Sequence, residues 1–227
     1  MYFFRICITD NTEFPRIVDE EIQALPMESY QYTWYKSELG DSIVKVCGNS
    51  NVASDIEIPG LKRLNQDFDR IQYQLTETEI DRFRELGKIT SATFTIIGNT
   101  VKLGMTELDV ASMVSYELMK ENIQSHVLLV ATDDRISDYR HPIPTMNKIS
   151  RYVMYVVVAV KLGLNLSITR FVHFGDPSPE LKAKHEAIVN IDARLIMNTR
   201  PGKKITEIFK SHRENFEGFV LLTNNFF

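Results

Sequence analysis

Nine residues in the middle of the chain, Tyr-Val-Met-Tyr-Val-Val-Val-Ala-Val at positions 152–160, limit the fold more than any other stretch. Valine loses side-chain freedom in a helix and packs well on a pleated surface, so a run of this length reads as a buried strand. Positions 166–174, Leu-Ser-Ile-Thr-Arg-Phe-Val-His-Phe, alternate between apolar and polar residues as a half-buried strand does. Gly163 sits in the short connection, so the two runs predict an antiparallel hairpin. A third run at 126–131, His-Val-Leu-Leu-Val-Ala, precedes them. The intervening polar loop contains Arg140, His141, Pro142 and Pro144. A charged loop between core strands is where a site is placed, and prolines fix its backbone at low entropic cost.

Two helical patterns lie upstream. Thr76 with Glu79 has the spacing of a capping box, and Ile80, Phe83, Gly87 and positions 90–97 continue one stripe, with Gly87 marking a close approach. Thr106 with Asp109 opens a second helix, on which Val110, Met113, Val114, Glu117 and Leu118 share a face; Met113 reads as core filling. Downstream, Ser178 followed by Pro179 is a helix start, and the apolar stripe runs to about Asn198. The order helix, helix, strand, strand, strand, helix predicts an α+β domain rather than a doubly wound parallel sheet.

Residues 1–60 read as part of a smaller α/β unit, with strands at 2–8, 31–35 and 52–55 and helices at 15–25 and 37–46. It opens directly on a strand, which leaves a sheet edge to be covered. Residues 61–75 suit a linker or a surface segment. The last ten residues, 218–227, are apolar, which suggests a missing partner or a truncated chain.

A net charge of −4 and a pI near 5.8 argue against nucleic acid or an anionic membrane as the main partner. No run of apolar residues is long enough to span a bilayer, and the N-terminus lacks the basic start of a signal peptide, so the expected address is the cytoplasm. Cys7 and Cys47 lie outside any CxxC pair and read as buried, reduced thiols.

By itself His141, next to proline in a loop, reads as a solvated turn residue with a site role as the alternative. Asp133-Asp134-Arg135 reads as a turn with a local ion pair. His173 reads as half-buried on a strand. His185-Glu186 lacks the spacing of an HExxH zinc helix, and the chain has no Walker loop, GxGxxG or GxSxG.

The stretch Gly104-Met-Thr-Glu-Leu-Asp109, the loop Arg140-His-Pro-Ile-Pro-Thr145, the hairpin ending Ser167-Ile-Thr-Arg170, and Thr199-Arg-Pro-Gly202 together resemble the pita-bread metallopeptidase family, in particular its aminopeptidase P-like, prolidase-like and creatinase-like members. The resemblance implies an aminopeptidase-like α+β domain with a curved antiparallel sheet, preceded by the end of a small creatinase-type N-terminal domain. The divisions it implies are 1–60 for the end of that domain, 61–75 for a linker, and 76–227 for a catalytic-like domain incomplete at its C-terminus. Active relatives hold two divalent ions (Mn, Co or Zn) with two aspartates, one histidine and two glutamates, and the ions make the hydroxide that attacks the peptide carbonyl. A loop histidine contacts substrate there. His141 matches it, with Arg140 beside it as a substrate-binding candidate.

This sequence departs from the pattern at the ligands. Aligned on Gly163 and Thr169-Arg170, the two aspartate positions hold Val156 and Ser167. Valine has no donor atom, and a serine hydroxyl is a weak neutral ligand for such ions. The other three ligands fall after Gly202, about where the chain stops. No metal is therefore expected in this chain. The first expectation is a non-hydrolytic, peptide-binding or vestigial family member. The second is a metal-dependent peptidase acting on an N-terminal or X-Pro bond as part of a longer product. The third is an unstable fragment of a broken reading frame. A peptide is the expected ligand, and a homodimer the expected assembly, as in relatives.

Overall fold

The computed structural model describes residues 5–36, 39–48, 51–64, 66–71 and 73–210. The expected strand residues 2–4 and the apolar stretch 218–227 lie outside them, as do Ser37 and Glu38 at the start of one expected helix. The chain divides into two compact units, Met1–Thr76 and Glu77–Phe227.

In the first unit β1 (Ile6–Asp10) pairs in parallel with β2 (Glu28–Tyr32). The crossover between them is one turn of helix, α1 (Phe14–Arg16), that widens into a π-helix at Ile17–Ile22. The strand expected at 31–35 starts and ends earlier. Lys36 donates its amide to the Thr33 carbonyl at 2.9 Å, which closes a turn and takes Trp34 and Tyr35 out of the ladder. Helix α2 (Leu39–Cys47) and the parallel pair β3 (Ala53–Ser54) and β4 (Lys62–Arg63) follow. With α3 (Gln66–Ile71), β4 gives regular structure to part of the stretch expected as a linker or surface segment. Cys7 and Cys47 are free and half-buried rather than fully buried, because the core of this unit is thin.

The second unit begins with α4 (Glu77–Thr100), which buries Leu86, Thr90, Thr93, Phe94 and Ile97 along one face. Helix α5 (Glu107–Lys120) starts on the expected capping box. Thr106 accepts from the Asp109 amide at 3.1 Å, and Asp109 accepts from the Thr106 amide at 2.7 Å. The three expected strands are β5 (Gln124–Thr132), β6 (Tyr152–Lys161) and β7 (Leu164–His173), in the order β5-β6-β7 and antiparallel throughout. A register shift between Ser125 and Val127 interrupts β5, and such bulges bend a strand. Helix α7 (Pro179–Asn198) starts on Ser178, whose hydroxyl accepts from the Leu181 amide at 3.2 Å. The one-turn helix α6 (Arg135–Asp138) lies in the loop after β5.

Strand β6 alternates strictly. Val153, Tyr155, Val157 and Ala159 are buried, and with Val130 and the inner residues Leu164, Leu166 and Ile168 of β7 they pack on the apolar stripes of α4 and α5. Gly87 faces the Leu166 side chain, where a Cβ would make an ordinary contact at 3.4 Å rather than the close approach expected. Met113 packs against the same core, as expected.

The β6–β7 turn is two residues long, and both Leu162 (φ 51°) and Gly163 (φ 79°) are left-handed. That is the type I′ geometry, which favours Asn-Gly over Leu-Gly. A left-handed leucine carries a penalty of roughly 1–2 kcal/mol, and Leu162 is exposed, so its side chain offers no compensation. Leu162→Asn is expected to stabilise the hairpin by about 1 kcal/mol, seen as a rise in the thermal midpoint of the second unit. A fall would mean that Leu162 is held by contacts its exposure does not reveal.

Candidate functional site

The loop between β5 and β6 is built around two carboxylates. Glu107 is the first residue of α5 and is completely buried. Its Oε1 accepts from the Thr132 amide (2.9 Å) and hydroxyl (3.2 Å), and its Oε2 from the Thr145 amide (2.9 Å) and hydroxyl (2.7 Å). The Arg135 guanidinium closes the set at 2.9 Å from Oε2 and 3.2 Å from Oε1. One carboxylate therefore ties the end of β5 to the loop at Thr145, on either side of residues 139–143. Its place at the N-terminal end of α5 also suits a negative charge.

The second carboxylate is Asp133, itself left-handed at φ 53°. It accepts from the Ser150 hydroxyl (2.8 Å) and from the amides of Ser150 (3.0 Å), Arg151 (2.8 Å) and Tyr152 (3.1 Å). Partial burial pushes its pKa up, but the Ser150 hydroxyl and the three amides outweigh that and hold it below the usual carboxylate value. The expected local ion pair within Asp133-Asp134-Arg135 is not what forms. Arg151 takes Asp133 and Asp134, while Arg135 takes Glu107. The sequence-distant partners win because they meet the charges at the mouth of the sheet.

A depressed folded-state pKa stabilises the fold above the unfolded value of about 3.9 and is lost as pH falls through the folded value. Asp133→Asn is therefore expected to lose about 1–3 kcal/mol at pH 7, and the gap from wild type should narrow in acid. Denaturant unfolding at pH 7 and pH 3 checks this; a gap independent of pH would assign the loss to geometry alone.

Between these anchors the loop lies along the start of α5. Leu108 donates to the Thr145 carbonyl, Glu107 to Asn147 and Gly104 to Ile149, while Ile149 donates back to Met105. Pro142 and Ile149 are buried. Arg140 and His141 are exposed, and among the described residues neither makes a hydrogen bond. Tyr139, Ile143 and Met146 stand out beside them, 54%, 68% and 70% exposed. The structure thus puts the two candidate contact residues on a tip whose frame is fixed and whose own side chains are free.

The sheet face away from α4 and α5 carries the other two positions. Val156 is opposite Thr169, and Ser167 is opposite Val158. Paired residues share a face, so Val156 and Ser167 are diagonal neighbours on one face of the hairpin. Around them on that face are Val127, Leu129 and Ala131 of β5, with Met154 and Val158 of β6. At these two positions the residues present do not fit a divalent metal: one has no donor atom and the other only a neutral hydroxyl. Among the described residues no group of three or more His, Cys, Asp or Glu side chains is placed to hold one. At the far end of the same face His173 stacks on its partner Tyr152, ring centres 5.5 Å apart, and His185 of α7 meets the edge of Phe171. His173 is half-buried on its strand, as expected.

Glu107 is the residue that sequence reasoning missed. The capping box drew attention to Thr106 and Asp109 on either side. A signal was present: Glu107 shares the buried stripe of Val110, Ala111, Val114 and Leu118, so it is a charge in an apolar position.

Among the described residues no helix is long and apolar enough to cross a membrane. Solved structures of the same fold include an X-Pro aminopeptidase from Thermotoga maritima MSB8 (TM-score 0.71, 16% identity, 95% of this chain and 65% of that one). A prolidase from Pyrococcus horikoshii OT3 gives a TM-score of 0.74 at 17% identity, over 94% of this chain and 64% of that one. An uncharacterized peptidase of Staphylococcus haemolyticus is 25% identical over 142 residues, 61% of this chain and 40% of the relative. A second, of Staphylococcus epidermidis, is 19% identical over 195 residues, 85% of this chain and 56% of the relative. The chain thus spans less than two thirds of the length of the proteins it resembles. The family model for metallopeptidase family M24 matches residues 81–225, which takes in all but the first four residues of α4, then α5, the sheet, its loop and α7. The α+β sheet, the hairpin and the loop are therefore those of a pita-bread peptidase domain, and the chain belongs to metallopeptidase family M24.

Proposed function

We propose that this chain is a non-hydrolytic, peptide-binding member of the family. One observation carries the reading. Val156 and Ser167 share one face of the hairpin with Met154, Val158, Thr169 and Asn165, beside Val127 and Leu129 of β5, with no carboxylate between them. The apolar part of such a face can shelter apolar groups of a peptide, and neither position offers a charged donor to an ion. The exposed Arg140 and His141 are the groups that would meet the peptide's carbonyls and carboxylate. A cytoplasmic address and a homodimer remain the expectations that go with this reading.

The second reading is a metal-dependent peptidase acting on an N-terminal or X-Pro bond within a longer protein. What favours it is the additional length of the X-Pro aminopeptidase and prolidase that this chain resembles.

Equilibration of the purified protein with manganese, cobalt or zinc, followed by gel filtration and metal analysis, separates the two. The expected result is no stoichiometric metal and no cleavage of Ala-Pro-Ala, together with binding of that tripeptide that His141→Ala weakens. Two tightly held ions per chain, or hydrolysis, would replace the first reading by the second.

A further inference from the structure

We propose that Glu107, acting through Arg135 and Thr145, is a positioning residue that sets the exposed tip carrying Arg140 and His141; this rests on the peptide-binding reading above. The carboxylate joins Thr132, before the tip, to Thr145, after it, one oxygen to each. Arg135 extends the clamp into the loop itself. Its second amino group donates to the Ile143 carbonyl at 3.2 Å, and its guanidinium lies 5.2 Å from the Tyr139 ring centre. One buried charge thus holds residues on both sides of Arg140 and His141.

That charge is not the segment's only tie to α5. Its backbone is already joined to residues 104–108 by amide–carbonyl hydrogen bonds, and Pro142 and Ile149 are buried. A buried ion pair is a poor source of net stability compared with apolar residues of similar volume, but it fixes one arrangement over its alternatives. Here the arrangement fixed is that of a tip with five outward side chains, Tyr139, Arg140, His141, Ile143 and Met146, of which Tyr, Arg and Met are types enriched at binding surfaces. A tip ordered in advance binds with less loss of conformational entropy.

The test uses the full chain, Ala-Pro-Ala as probe, and three variants. Glu107→Gln removes the charge, Thr145→Val removes one latch hydroxyl and leaves the buried pair intact, and His141→Ala removes the contact itself. Binding is read by calorimetry, and amide hydrogen exchange is followed at Thr145 and at Val157 in the core of β6. Expected are at least ten-fold weaker binding in Glu107→Gln and Thr145→Val, with exchange at Thr145 accelerated relative to Val157. In His141→Ala binding should weaken with exchange unchanged. Should Glu107→Gln fail to fold, Thr145→Val carries the test. Wild-type protein that does not bind the tripeptide, or binding indifferent to His141, overturns the peptide-binding reading and this inference with it. Binding that needs His141 but is unaffected by the folded clamp variants, or exchange that changes equally at Thr145 and Val157, overturns the inference alone.

Discussion

Replacing Glu107 by alanine should lower the stability of the second unit by about 3–5 kcal/mol, the range for breaking one side of a buried ion pair. The side chain is fully buried and accepts hydrogen bonds from two amides, two hydroxyls and a guanidinium. Without it, those donors face a cavity. The penalty is the desolvation of groups left unpaired, not only the loss of the pair itself. Arg135 is mostly buried and would be drawn toward water, releasing the Ile143 carbonyl. Removing both charges with apolar residues, as in Glu107→Leu with Arg135→Met, should recover a large part of the loss. Thermal and denaturant unfolding of the wild type, single and double variants measure this directly. A loss below about 1 kcal/mol for Glu107→Ala would mean that water replaces the carboxylate in the loop.

The contrast between what the chain shows and what it conceals turns on distance along the sequence. Strand β6 was legible because its burial on one face and its valine content are local properties of ten adjacent residues. The Thr106–Asp109 box and the Ser178 start were legible for the same reason, since each hydrogen bond spans three residues. Glu107 and Arg135 are 28 residues apart, and Asp133 reaches its partners at Ser150, Arg151 and Tyr152 across the loop. Charge pairing at that range depends on which strand ends meet, which periodicity does not report. The family likeness supplied Val156 and Ser167 as a pair, and the strand register then placed them on one face. Their shared face could be anticipated from Gly163 only once the turn was known to hold two residues.

Tyr155→Ala should also lose about 3–5 kcal/mol, the cost of a large aromatic side chain removed from a packed core. Tyr155 is 1% exposed, its ring lies 4.9 Å from that of Phe94, and its hydroxyl donates to the Phe94 carbonyl at 2.9 Å. Burial pushes the phenol up to about 12, so it is a neutral donor throughout the working range. Tyr155→Phe keeps the ring and gives up the hydrogen bond, a loss of about 1 kcal/mol. The neighbouring Gly98 provides a sharper test of the packing. Alanine is a better helix former than glycine, by up to about 1 kcal/mol in a helix interior and by less in the last turn of α4, where Gly98 lies, but a Cβ at Gly98 would lie 3.1 Å from the Tyr155 hydroxyl oxygen. That oxygen is fixed by its bond to Phe94, so Gly98→Ala should destabilise the wild type. In the Tyr155→Phe background the oxygen is absent, and the same substitution should become stabilising. A double-mutant cycle reads the change of sign as a coupling between the two sites. Additive effects would show that α4 shifts to make room and that the contact between Gly98 and Tyr155 does not set the spacing of helix and sheet.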